Sequence, residues 1–371
     1  MARMHQNNYG REGDHLEAIP ELTVGPNICA RDHYNFSQLP AQGDGPNLKE
    51  IDQEPQYAGV GLRLMSILAE NLISHPCMVL RRQCQVNCQA RKFHLSPFTL
   101  FPVIAKLQQR QGLITLWKGA PSIFIIRGLI MAVETCLSEV TLLPREVTSQ
   151  SSLKHMAKHV ALKGATFALV TPFYCASLVE VVQCDMASEK PGVLDCLREG
   201  LCRVVRWGGR GRMLPVWKLV GPTVIHGVLH YIISSVVQSV TLWWSNAQRR
   251  QTAQRMGTVP RATLSETYFP ELIAAFTGSL MADVVLFPLE TVLHRLYLQG
   301  TRTIIDNLDT GCSVAPVISQ YLGPVDCFQS IITEEGASGL YKGFGALILQ
   351  YSLHCALLKL TRVAWNELFS A

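Results

Sequence analysis

Two stretches far apart in the chain repeat one another: QGLITLWKG from Gln111 to Gly119 and EGASGLYKG from Glu335 to Gly343. Each follows a long apolar segment broken by a proline, within HPCMVLRRQ from His75 and FPLETVLHR from Phe287. Repetition on this scale constrains the architecture before any single residue is interpreted, because each copy is one supersecondary unit that needs its neighbours. The unit here is a pair of helices.

Only 16% of the 371 residues are charged and 48% are apolar, a low charge content for a globular enzyme. The mean hydropathy of +0.17 is diluted by residues 1–55, which are polar, lack an apolar period and read as a disordered tail. That tail has no apolar run to serve as a secretory signal. Its Glu12, Asp14, Glu17 and Glu21 disfavour a cleavable mitochondrial presequence, so targeting is expected to be internal. The net charge of +5 is spread over the whole chain and gives no nucleic-acid footprint. Most of the twelve cysteines stand singly in apolar segments, where a thiol behaves as a small hydrophobe. Cys84, Cys88 and His94 lack the second pair that a metal site requires. No phosphate loop, nucleophile elbow or paired carboxylate set appears, and GGRG at Gly208 to Gly211 reads as a turn. Neither cofactor, metal nor enzymatic activity is expected.

Six segments are long and apolar enough to span: Gly59 to Val86, Ala120 to Val140, Ala157 to Met186, Trp217 to Trp244, Tyr268 to Leu298 and Gly343 to Leu368. Each holds about 20 largely apolar residues, the helical length of a hydrocarbon core ~30 Å thick. Charged and imidazole groups interrupt them, among them Arg81, Arg82, Arg127, Glu134, Glu290 and His294. Such groups are costly against lipid and are expected to face one another or water. The first, third and fifth segments carry Pro76, Pro172 and Pro288 at comparable places and are expected to kink there.

An amphipathic stretch lies between the members of each pair: Pro97 to Gly112, Gly192 to Gly209 and Pro324 to Gly336. Apolar residues at three- and four-residue intervals mark short interfacial helices. The expected fold is therefore an all-α membrane protein with six transmembrane helices in three two-helix repeats joined by interfacial helices. Its parts are the tail (1–55), repeat 1 (56–150), a degenerate repeat 2 (151–250) and repeat 3 (264–371).

The third copy reads Pro288, Glu290, Arg295, then Glu335, Gly336, Tyr341, Lys342 and Gly343. The first keeps Pro76, Arg81, Gly112, Trp117, Lys118 and Gly119, but has Met78, Gln83 and Gln111 where the third has charges. In the second, Pro172 is followed by Tyr174 and Ser177 at the charge positions. Taken together these motifs resemble the mitochondrial carrier family over residues 57–371. Longer strings, including LAENLISHPCMVLRRQCQVN, PFYCASLVE and PLETVLHRLYLQGTRTIIDN, are similar to a divergent branch of that family found in the mitochondrial outer membrane. In the family the motif acids and bases form a ring of ion pairs that closes the pore on one side. By the family's pairing order, Arg81 and Glu290 are the one pair left here, and they are expected to touch.

The resemblance implies a non-enzymatic outer-membrane adaptor of carrier fold that regulates mitochondrial fusion and fission, cristae organisation and lipid homeostasis. It implies as partners membrane lipids, the outer-membrane fusion GTPase machinery and inner-membrane organising proteins. The alternative is a transporter of a lipid or other small solute, with Arg127, His226 and His230 as cavity-lining polar groups; those histidines would equally serve to bridge helices. Trp117, Lys118, Tyr341 and Lys342 suit anchoring at the headgroup level. The tail and the insertion from Thr301 to Gly323 are the candidate contact surfaces, since a connection longer than it needs to be is often functional.

Overall fold

The computed structural model describes residues 71–145, 152–185, 192–205, 212–256 and 264–369. The tail (1–55) and the start of the first expected span lie outside these residues. From residue 71 the chain runs as helix α1 (71–86), then α2 (Phe101–Gln111) and α3 (Ala120–Thr141). It continues through α4 (Leu153–Val182), α5 (Asp195–Val205) and α6 (Val216–Met256) to α7 (Leu264–Leu298), α8 (Pro324–Glu335) and α9 (Phe344–Phe369). Long, short and long helices thus alternate. Among the described residues four helical segments, against the six spans expected, are long and apolar enough to cross a membrane: Leu153–Val182, Val216–Thr252, Phe269–Leu298 and Ala337–Ala364.

Helix ends follow local chemistry. Gly112 and Gly336 stop α2 and α8 with positive φ, their N–H groups donating to Gln108 O and Ile332 O at 3.0 and 3.1 Å. α6 runs twelve residues past the expected end at Trp244, because SNAQRRQTAQRM is composed largely of good helix formers with no Gly or Pro. Pro172 lies inside α4 and Pro288 inside α7, as do Pro222 in α6 and Pro270 in α7.

One expectation needs correcting: the described chain is not purely helical. Within the insertion, β1 (Ile304–Asn307) pairs antiparallel with β2 (Ser313–Pro316), matching Ile304 with Pro316 and Asp306 with Val314. β-branched residues favour extended backbone, and Gly311 at φ 67° helps to turn the chain. The hairpin folds back onto the bundle. Ile305 joins a core cluster with Val86, Val182, Leu296 and Ile331. Leu308 joins a second with Leu80, Leu100, Val103, Leu107 and Leu116. Burying such a side chain stabilises by about 1.5–3 kcal/mol, so the insertion is held by apolar packing as well as polar bonds.

Candidate functional site

α1 and α7 meet across a polar seam. Arg81 Nη2 donates to Glu290 Oε1 at 3.0 Å, and Arg81 Nη1 to Asp283 Oδ2 at 3.1 Å. Asp283 also accepts from His230 Nε2 of α6 at 3.1 Å and from the Tyr351 hydroxyl of α9 at 3.0 Å. Glu290 accepts from Gln85 Nε2 at 3.0 Å, and His294 Nδ1 donates to Gln85 Oε1 at 2.8 Å. The pair named from sequence is therefore one edge of a network joining four helices. Asp283 was missed, although an acid inside the apolar run SLMADVVLF is itself a signal.

A second buried pair joins α4 to α3: Lys163 Nζ lies 2.7 Å from Glu134 Oε1, with the ammonium 5.6 Å from the centre of the Tyr231 ring. Between the two sites lies a cavity of about 430 Å³. Arg127 and His230 line it, together with Arg82, Tyr174, Phe167 and Tyr297. His226 is not among its lining residues; its ring sits 6.2 Å from that of His230. Arg82 Nε is buried without a hydrogen-bond partner among the described residues.

The motif residues occupy a third region. Arg295 makes a two-pronged contact with Glu335, Nη1 to Oε1 at 2.6 Å and Nη2 to Oε2 at 3.0 Å. Lys342 Nζ lies 2.7 Å from Glu335 Oε2 and donates to Asn87 O at 3.0 Å. Lys342 is 0% exposed and Lys118 8%, which corrects the expectation that these lysines anchor at the headgroup level. Their ammonium groups turn inward to buried carboxylates. The aromatic members remain at the edge: Trp117 is partly exposed and donates from Nε1 to Leu72 O at 2.8 Å, while Tyr341 stacks on Phe287. Gly119 and Gly343 both adopt left-handed backbone, at φ 68° and 83°, and press against a neighbour. A Cβ on Gly119 would come within 2.6 Å of Val181 Cγ2, and one on Gly343 within 2.6 Å of Cys84 Cβ. Only glycine fits both the backbone angle and the space.

Lys118 finds its carboxylate in the insertion. Its Nζ lies 2.7 Å from Asp306 Oδ2. Gln83 Nε2 and Gln111 Nε2 donate to the two oxygens of the same carboxylate, each at 2.9 Å. Burial opposes ionisation of Asp306, but the Lys118 ammonium and the hydrogen bonds from Cys184, Lys118 and Gln111 outweigh it and hold the carboxyl below its usual range. Nothing around Asp306 in the sequence announces this, since its partners lie in another repeat. Among the described residues no group of three or more His, Cys, Asp or Glu is placed to hold a metal ion.

Comparison with known proteins points to a family. The family described as "Mitochondrial carrier protein" matches residues 265–369. The chain is 47% identical over 326 residues to "Mitochondrial outer membrane protein SLC25A46" of Gallus gallus, covering 87% of this chain and 79% of the relative. The protein of the same name from Danio rerio is 46% identical over 334 residues, covering 88% and 82%. That from Homo sapiens is 47% identical over 319 residues, covering 85% and 76%.

Proposed function

From the premise that the chain belongs to the mitochondrial carrier family, within its mitochondrial outer-membrane branch, we propose that it is a non-enzymatic multi-pass adaptor. In this reading six spans in three repeats form a scaffold that regulates fusion and fission, cristae organisation and lipid homeostasis. Support for the repeats comes from the threefold succession of long, short and long helices. The partners are membrane lipids, the outer-membrane fusion GTPase machinery and inner-membrane organising proteins.

The observation that carries the reading is the depletion of the motif charges. An alternating gate needs two closed states of comparable strength, so that binding energy can tip the balance. Here the second repeat offers Tyr174 and Ser177 at its charge positions, and the Ser177 hydroxyl meets that of Ser122 at 3.1 Å. Arg81 and Glu290 alone keep the motif pairing between repeats. A bundle joined this way is suited to staying in one state and presenting a surface. The tail supplies one contact surface, and the outer side of the insertion, with Val314, Ile318 and Leu322 exposed, supplies the other.

Co-purification from gently solubilised mitochondria tests this. Wild type is compared with a variant lacking residues 1–52 and with one carrying serine at 314, 318 and 322. Fusion GTPases and cristae organisers should accompany wild type and be lost from at least one variant. A folded wild-type protein recovered alone sinks the adaptor.

The cavity favours a second reading, transport of a lipid or other small solute. Arg82 and Arg127 beside Phe167 and Tyr297 offer an anionic headgroup its countercharge and an acyl chain its apolar wall. Liposome flux that is abolished by Arg127→Ala and His230→Ala would establish transport. Flux equal to that of empty liposomes would exclude it.

A further inference from the structure

The third repeat holds one carboxylate among three side chains, Arg295, Glu335 and Lys342. Gln83 stands as far after Pro76 as Arg295 after Pro288, and Gln111 and Lys118 match Glu335 and Lys342 in the repeated strings. All three first-repeat residues converge on Asp306 at 2.7–2.9 Å. The acid absent at position 111 has been replaced from outside the repeat. Asp306 is 2% exposed and Lys118 8%, so this is a desolvated pair, in which losing one partner strands a buried charge.

The hairpin that carries Asp306 touches every repeat. Cys184 N, just past the end of α4, donates to Ile304 O at 2.8 Å. Asp309 accepts the backbone N–H groups of Arg91 and Lys92 at 2.7 and 3.0 Å, and Arg110 donates to Cys312 O at 2.9 Å. Ile305 and Leu308 each plug a different apolar cluster. The geometry points to a strap: residues 304–316 bind the three repeats together at one end of the bundle, and Asp306 is the positioning residue that latches it. Such a strap keeps this end shut without a ring of motif ion pairs. The inference goes beyond the adaptor reading and is independent of it, since it concerns closure and not partners.

Native cysteines report the state of the strap. Cys184 is 0% exposed beneath the hairpin, Cys196 of α5 is 0% exposed outside both clusters that the hairpin plugs, and Cys312 lies on the surface. Maleimide labelling of the full chain in membranes, read peptide by peptide, should modify Cys312 and spare the other two in wild type. Asp306→Asn should raise labelling of Cys184 at least about tenfold through local opening, with little change at Cys196. Gln111→Glu alone should also expose Cys184, because a second carboxylate crowds Asp306. The double variant Asp306→Asn with Gln111→Glu should regain protection, the acid having returned to its own repeat. If Asp306→Asn instead unfolds the protein and exposes all three thiols, the double variant still decides, since the latch requires that it refold. Protection of Cys184 in Asp306→Asn, or greater exposure in the double variant than in either single one, overturns the strap.

Discussion

In the third repeat Glu335 receives both guanidinium prongs of Arg295 and the ammonium of Lys342, all from one repeat. In the first, two glutamines stand where the third has a base and an acid, and Lys118 takes its carboxylate from Asp306, 188 residues away. Both arrangements neutralise a buried lysine at the same point of the fold, beside a left-handed glycine. They differ in what they join. Glu335 braces one repeat internally, while Asp306 fastens a separate hairpin across the bundle. With Gln83 and Gln111 both neutral, the carboxylate that meets Lys118 comes from the insertion. A motif can decay in sequence while its electrostatic demand persists and is met elsewhere.

The larger loss is expected at Glu335. Replacing it by alanine strands Arg295 and Lys342 together and should destabilise the protein by about 4–5 kcal/mol, the upper end for a broken buried pair, as a sharply lowered melting temperature in detergent. Asp306→Ala strands one cation and leaves two neutral donors unpaired, and should destabilise by about 3 kcal/mol in the same assay. The α1–α7 seam adds a third case, smaller in what it restores. Exchanging the charges of Arg81 and Glu290 in a double variant should recover only about 1–2 kcal/mol of the loss. Glu at position 81 would then face Asp283, so adding Asp283→Asn should recover more. Full recovery from the simple exchange would show that Asp283 contributes little.

The smallest effect is that of pH on Asp306. Its folded carboxyl titrates below the unfolded value of about 3.9, so the stability it contributes is fully present above that value. It is lost only as pH falls through the depressed folded range. Protection of Cys184 should thus be flat from pH 7 down to 5. A loss of protection already at pH 5.5 would contradict the pairing with Lys118.

The helical elements were largely legible because helices and their stops are written locally. The apolar runs, the interfacial stretch from Pro324 and the glycines at 112 and 336 all mark elements that the structure contains. The proximity of Arg81 and Glu290 was reachable only through the family's pairing order, which places residues in space by analogy. Asp283 was overlooked though its sequence setting signalled it. Asp306 was a different case, since its three donors lie in another repeat and its own neighbours, Ile305 and Asn307, carry no motif. The insertion was read as a contact surface, and its burial was not legible for the same reason: its strands pair locally, but what buries them is the bundle.

The most direct test is a stability cycle over wild type, Asp306→Asn, Gln111→Glu and the double variant, melted in one detergent. Each single change should destabilise, and the double should be more stable than either, with a coupling of at least about 1 kcal/mol for residues in direct contact. Destabilisations that simply add would mean that Asp306 does not stand in for the acid absent at position 111.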